Sequence, residues 1–196
     1  MFLDTHTLSD AIVRNLARIS SNDGLEFTWE SASNTSISPG TTQRNTIEAS
    51  QALSRANKVM MISRTDNALD ISATTAAATE NSFESEAYPI TEWQFALGAQ
   101  YFPQAAVLSA KSAYIHAVRD AKNNSVTPTL FELDSSLMVQ SLERSQILQG
   151  SGMSISSNRG LIANVLFNTS VARTIDLFVT YQKLASVFLD NVVIRQ

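Results

Sequence analysis

The chain has 196 residues, a formal net charge of −4 and a charged fraction of only 16%, well below the ~25% of an average soluble domain. It carries no run of Lys and Arg that would neutralise phosphates, which disfavours nucleic-acid binding, and no apolar run approaches the ~20 residues of a membrane span. The lack of cysteine excludes disulfides, a thiol nucleophile and Cys-ligated zinc. A surface rich in Ser, Thr, Asn and Gln is typical of a hydroxyl-rich β-protein, or of one that packs against other protein.

The N-terminal segment predicts one helix and one strand. "LSDAIVRNLARI" places apolar side chains on a single helical stripe, formed by Leu8, Ile12, Leu16 and Ile19. "LEFTWE" then alternates Leu25, Phe27 and Trp29 on one face, as expected of a half-buried strand. Residues 31–51 are polar and contain the turn signal "SPG", so we expect a long exposed loop there.

A second strand is predicted at 57–65, "NKVMMISRT", followed by another polar excursion at 66–82. The segment "ITEWQFALGAQYFPQ" (90–104) then concentrates aromatic residues. Its strand places Trp93, Phe95 and Leu97 on one face. Gly98 is expected to interrupt it or to allow a bulge, and Pro103 is expected to end it and turn the chain away from the sheet.

The richest helical pattern spans 104–123, where Val107, Ala110, Tyr114 and Val118 form a stripe with Ile115 beside it. The segment 130–148 fits either a strand or a short helix, and 150–160 is rich in turn residues with room for a short strand. The C-terminal region predicts strands by strict alternation of apolar residues. These residues are Leu161, Ala163, Val165 and Phe167, then Ile175, Leu177, Val179 and Tyr181.

Candidate catalytic and binding residues are few. His6 lies in the N-terminal segment, and His116 lies on the predicted helix four residues before Asp120. A His–Asp general base is one interpretation, but this spacing is also ordinary on a helix surface. "QGSGMS" lacks the nucleophile-elbow spacing, and the acidic residues do not follow a calcium-loop pattern. The sequence therefore predicts no enzyme, no catalytic or metal residue and no cofactor.

The aromatic residues allow two interpretations. Trp29 and Trp93 could form a sugar-binding platform, or they could belong to the core. Aromatic residues at a spacing of two favour the core, because each buried aromatic side chain removes ~150–250 Å² from water. Burial of Trp93 would support the core, and its exposure would support a platform.

Seven or eight predicted strands, two helices between strands and two long polar loops define the fold prediction. Helices do not alternate regularly with strands, which argues against a parallel α/β sheet. The pattern fits an all-β, antiparallel jelly-roll sandwich, with ~eight strands in two Greek keys. We find no internal repeat and no domain boundary, and therefore predict a single domain over residues 1–196.

Three stretches in order carry a family resemblance: "SRANKVMMISRT" (54–65), "FESEAYPITEWQFALGAQYFP" (83–103) and "GSGMSISSNRGLIANVLFNTSVARTIDLFVTYQKLASVFLDNVVI" (150–194). Together they resemble the second roll of the double jelly-roll major capsid proteins of DNA viruses and virus-like transposons, of the adintovirus, Polinton and virophage kind. The resemblance covers roughly residues 53–196 and rests on apolar pattern and turns.

The resemblance implies a structural protein of the virion. In this family, two rolls stand upright in each subunit, and three subunits form a pseudo-hexagonal capsomer that tiles an icosahedral shell. The implied partners are two further copies, the neighbouring capsomers and, because 196 residues hold one roll comfortably, a second jelly-roll chain. The same length also fits a fragment of a longer chain or a single-roll capsid protein. The alternative function is a carbohydrate- or receptor-binding β-sandwich of a viral fibre or lectin type.

Overall fold

The computed structural model describes residues 25–49, 52–65, 88–121, 126–133, 136–144, 151–156, 160–188 and 192–195. The helix predicted over 8–19, His6 and the polar excursion at 66–82 lie outside the described residues. The described strands are β1 (Leu25–Gly40), β2 (Arg44–Ala49), β3 (Leu53–Thr65), β4 (Ile90–Leu97), β5 (Gln100–Val107), β6 (Met138–Ser141), β7 (Met153–Ile155), β8 (Leu161–Phe167), β9 (Arg173–Val187) and β10 (Val192–Arg195). The described helices are α1 (Ala110–Ala121) and α2 (Pro128–Leu133).

The strands form two sheets, one in the order β1-β9-β3-β6 and the other in the order β2-β8-β4-β5. In the first sheet, β7 also pairs with β3 and β10 with β9. Eight strands make up these two orders. Following the chain, each of them lies in the opposite sheet from the one before it, except in the β4–β5 hairpin. This crossing back and forth is the connectivity of a jelly roll. The predicted antiparallel jelly-roll sandwich is therefore confirmed.

The contacts divide the chain into two compact units, residues 32–181 and residues 1–31 with 182–196. Within the smaller unit, β10 pairs antiparallel with the end of β9, from Val192 opposite Val187 to Arg195 opposite Leu184. The larger unit holds the second sheet and the hydrophobic core. The single domain over 1–196 stays a prediction.

Alternating side chains of both sheets fill the core. On β8 the buried residues are Leu161, Ala163, Val165 and Phe167, and on β9 they are Ile175, Leu177, Val179 and Tyr181. On β4, Trp93 and Phe95 are fully buried and Leu97 is 1% exposed. These three sets confirm the predicted alternation. Beside the core, an Arg64–Asp176 ion pair links β3 to β9.

The exposed loop predicted over 31–51 is wrong, because β1 continues to Gly40 and β2 follows from Arg44 to Ala49. Over residues 31–38 of β1 the half-buried side chains alternate with exposed ones. The half-buried ones there are Ser31, Ser33, Thr35 and Ile37, three of which carry hydroxyl groups. In β2 the buried positions are Asn45, Ile47 and Ala49. The period of two is present, but small polar residues carry it and so hide it from an apolar pattern.

The segment from Gly98 to Pro103 belongs to a β-hairpin and does not turn the chain away from the sheet. Gly98 has a φ of 61°, a left-handed conformation that glycine adopts without strain, and β5 then returns antiparallel to β4. Pro103 lies inside β5 instead of ending it. This is possible because β5 is the last strand of its sheet, and proline is tolerated where one strand edge has no partner.

The register of the hairpin shifts, since Phe95 pairs with Phe102 but Trp93 pairs with Val107. The residues between Phe102 and Val107 therefore form a bulge. The side-chain amide of Gln94 stabilises it by donating to the carbonyl oxygens of Pro103 at 2.9 Å and Gln104 at 3.0 Å.

The helix predicted over 104–123 is shorter, because β5 occupies its first residues and α1 begins at Ala110. Ser109 caps it, its Oγ accepting from the backbone N–H of Ser112 at 3.3 Å. The predicted stripe is correct only in part. Val107 is buried on β5 and Tyr114 packs against the core, but the buried positions of α1 are Ala113, Ala117 and Asp120. Ile115 is 63% exposed.

The two ambiguous segments now have definite structures. The segment 130–148 begins within α2 and continues to β6, so it contains both a short helix and a strand. The turn-rich segment 150–160 holds the short strand β7, as predicted.

Candidate interaction surface

The structure brings together no catalytic or metal-binding constellation among the described residues. In those ranges, no group of three or more His, Asp or Glu side chains is placed to hold a metal ion. The Gly–Ser segment around residue 151 leads into β7 along the edge of β3 rather than forming a nucleophile elbow. The described residues do carry exposed aromatic side chains and a buried polar cluster.

Trp93 belongs to the core, as predicted. Its ring lies 5.3 Å from the ring of Phe95 and 5.7 Å from that of His116, the latter edge to face. With none of its surface exposed, Trp93 cannot take part in a sugar-binding platform.

Trp29 behaves differently. It is 41% exposed and Phe27 is 55% exposed, so the half-buried face predicted for "LEFTWE" is wrong. Alternation put the two aromatic residues on one face of β1 correctly, but alternation alone does not say whether that face is covered. The two rings form an exposed aromatic pair near the start of the strand.

A second aromatic group joins the start of β4 to the helices. The Tyr88 backbone N–H donates to the Glu132 carbonyl at 2.8 Å, and the Tyr88 ring lies 6.0 Å from that of Phe131. Tyr114 of α1 contacts Phe131 edge to face at 5.6 Å and donates its hydroxyl to the Val126 carbonyl at 3.1 Å. Burial raises the pKa of the Tyr88 hydroxyl to about 12, against a smaller lowering by the indole N–H of Trp93.

The second half of α1 carries a polar cluster of His116, Arg119 and Asp120. Only 2% of the Asp120 side chain is exposed, so the interpretation of His116 and Asp120 as an ordinary surface pair is wrong. Arg119 Nε and Nη2 donate to the Asp120 carboxylate at 2.7 and 2.8 Å, and the Ser141 backbone N–H donates to the same carboxylate at 3.2 Å. Asp120 therefore links α1 to β6 by a hydrogen bond.

The cluster also shifts pKa values. Burial, then the nearby Arg119 charge, lowers the pKa of His116, and Asp120 opposes them. The hydrogen bonds to Asp120 raise the pKa of Arg119. The His116 Nδ1 lies 3.9 Å from Asp120 Oδ2, too far for the direct hydrogen bond of a His–Asp general base.

Arg173 is a second polar residue that the sequence did not reveal. It is buried at the start of β9, where its guanidinium lies 4.4 Å from the centre of the Phe167 ring. It donates to the Thr169 carbonyl at 2.8 Å, to the Val171 carbonyl at 3.1 Å and to the Thr169 hydroxyl at 2.7 Å. These bonds hold the β8–β9 turn in place, which is a structural role.

Large apolar side chains are exposed outside the core. Besides Phe27 and Trp29, they are Tyr101, Leu108, Ile115, Leu130, Leu133 and Val171, each at least 40% exposed. Single exposed apolar residues are normal, but this set includes both described helices and the edge strand β5. None of the described helices is long and apolar enough to span a membrane.

No protein-family model matches this chain, and no curated protein matches it either. Solved structures do. The chain matches PBCV-1 VP54 fitted into a reconstruction of the virophage Sputnik with a TM-score of 0.58 and 6% identity, over 89% of this chain and 52% of that one. It matches the 3.5 Å structure of the Sputnik virophage with a TM-score of 0.56 and 11% identity, over 88% and 39%.

A third match, the quasi-atomic model of the PBCV-1 virus capsid, has a TM-score of 0.60 and 9% identity over 95% of this chain and 54% of that chain. The chain thus spans about half the length of these structures, or less. At such low identity the likeness establishes the fold: a jelly roll of the kind found in double jelly-roll viral major capsid proteins. The resemblance stated from the sequence is confirmed at this level.

Proposed function

We propose that the chain is a structural, non-enzymatic protein of a viral capsid. The observation that carries the proposal is the strand order β1-β9-β3-β6 and β2-β8-β4-β5, in a fold shared with virus capsid structures over 88% to 95% of the chain. A fold alone does not determine function, so the surface has to agree with it.

The surface supports a role in assembly. Charged residues make up only 16% of the chain, and charged residues are depleted at the centres of protein interfaces. The exposed apolar side chains on β1, β5, α1 and α2 would lose their contact with water between subunits. The proposed partners are two further copies of the chain in a trimer, then neighbouring capsomers of an icosahedral shell in the virion.

The chain covers 52% of one structural neighbour and 54% of another, about the share expected of one roll among two. We therefore propose that a second jelly roll completes the subunit, supplied by the same or another chain. The position of this roll as the C-terminal one is part of the proposal.

Native mass tests the proposal. Light scattering is expected to give three times 21.4 kDa for the chain alone, or three times the summed mass of the two chains after coexpression with a companion roll. A chain that remains a monomer at every concentration, with and without a companion roll, would contradict it.

One observation favours a second candidate, the carbohydrate- or receptor-binding module. Phe27 and Trp29 are exposed on the same face of β1, and exposed aromatic faces stack on sugar rings. Calorimetric titration with neutral oligosaccharides distinguishes the two: heat of binding that Trp29→Ala abolishes, in a chain that stays a monomer, would replace the capsid proposal.

A further inference from the structure

The contact between His116 and Arg119 constrains the protonation of the histidine. Arg119 Nη2 lies 2.9 Å from His116 Nδ1. A guanidinium group has donors only and stays charged at any ordinary pH. His116 Nδ1 must therefore be the acceptor, which requires a neutral imidazole with its proton on Nε2.

From this geometry we propose that His116, Arg119 and Asp120 form a pH-sensitive polar cluster that links α1 to β6. The link is intact when His116 is neutral and weakened when Nδ1 is protonated. Protonation removes the only lone pair that can accept from Arg119. It also leaves two cations at hydrogen-bond distance. Nδ1, now a donor, lies 3.9 Å from Asp120 Oδ2, the oxygen that also accepts from the Ser141 N–H.

The surroundings favour the neutral form. The side chain of His116 is 14% exposed, and its ring packs against the fully buried Trp93. The strand β6 contributes no charged residue, and the charged residues of α2 and β4 are Glu132 and Glu92. The charges that shift the pKa of His116 are those of Arg119, which lowers it, and Asp120, which raises it.

The direction of the pH effect follows. The pKa of His116 is lowered in the folded chain from about 6.5 in the unfolded chain. Its contribution to stability is fully present above about pH 6.5 and declines as the pH falls towards the lower folded value, because the unfolded chain then binds more protons.

The first test uses nitrogen NMR of the imidazole rings. The chain has two histidines, so His6→Gln leaves His116 as the only signal. We expect the Nε2–H tautomer at pH 8 and a titration midpoint below 6.5. Arg119→Leu is expected to raise that midpoint and to let neutral His116 populate both tautomers. A purely structural arginine would not produce this change. An Nδ1–H tautomer, or a midpoint at or above 6.5, would overturn the proposal.

The second test measures the consequence. In the His6→Gln background, the urea midpoint of unfolding is expected to fall between pH 7.5 and pH 6.0. It should change less in His6→Gln/His116→Gln. Equal pH dependence in both variants would overturn the proposed pH-sensitive link between α1 and β6, even if the tautomer is as expected. If the double variant does not fold, the NMR titration of the His6→Gln chain decides alone. Both tests compare variants at the same protein concentration and report on the His116 site, so failure here is distinct from failure of the capsid proposal.

Discussion

Two tryptophans show that alternation along a strand does not by itself predict whether a side chain is buried. Trp29 and Trp93 both lie at alternating positions of predicted strands, yet one is 41% exposed and the other fully buried. The difference is a property of the layers around each strand. β4 lies inside its sheet between β8 and β5, and its inner face packs into the core. Phe27 and Trp29 lie on a face of β1 that stays partly exposed.

This difference predicts unequal costs of truncation. Trp93→Ala should destabilise the chain by about 3–5 kcal/mol, because it removes a fully buried aromatic side chain and leaves a cavity. Trp29→Ala is the matched control, and we expect a loss below about 1 kcal/mol for an exposed site. Urea denaturation of both variants measures the two values, and similar losses would show that Trp93 is not a core residue.

A close backbone approach at Gly152 gives a second residue-level prediction. A Cβ added at Gly152 would lie 2.5 Å from the Ala56 carbonyl oxygen, whereas one at Gly160 would meet the end of the flexible Glu48 side chain at 2.8 Å. Gly152→Ala should therefore cost about 1–3 kcal/mol, as overpacking does, with Gly160→Ala costing clearly less. Thermal unfolding compares them. A Gly152→Ala chain as stable as the Gly160→Ala chain would contradict the β3–β7 contact.

At the scale of elements, the sequence predicted strands well wherever apolar residues carry the alternation. On β8 and β9 every predicted core position is buried. It failed on the second half of β1 and on β2, where serine, threonine and asparagine occupy the inward positions. Such residues also favour turns, so local chemistry alone cannot separate the two states. Pairing with β9 and β8 determines the outcome.

The predicted start of helix α1 was wrong for a related reason. The run of Ala and apolar residues from 104 to 123 favours a helix throughout, but residues up to Val107 pair with β4. Hairpin pairing outweighs helix propensity there. Asp120 was missed as a buried group because burial of a carboxylate requires partners from elsewhere in the chain; here one of them is the Ser141 N–H.

The bulge of β5 gives the element-scale prediction. Gln94→Ala removes two hydrogen bonds to the Pro103 and Gln104 carbonyl oxygens. We expect a loss of about 1–2 kcal/mol and faster amide exchange along β5. Gln104→Ala serves as the control, since its exposed side chain should contribute within about 0.5 kcal/mol. Unchanged exchange in the Gln94→Ala chain would contradict a stabilising role for the amide.

At the scale of the whole molecule, the strand order is the most informative feature. Two orders of four strands, with most connections crossing between sheets, define a jelly roll at identities of 6% to 11% to the matched structures. The sequence predicted this fold because turns and apolar strands recur in the order of the fold. It did not predict which side chains remain exposed, and these are the residues that the proposed assembly would cover.

Electron microscopy of the assembled fraction tests the capsid proposal most directly. The chain, expressed with a companion roll if it does not assemble alone, should give averaged images with threefold symmetry and a pseudo-hexagonal outline. Density for the two-sheet roll should be placed so that neighbouring protein covers the exposed side chains of β1, α1 and α2. Monomeric particles with those side chains open to solvent under every condition, or assemblies without threefold symmetry, would contradict the proposal.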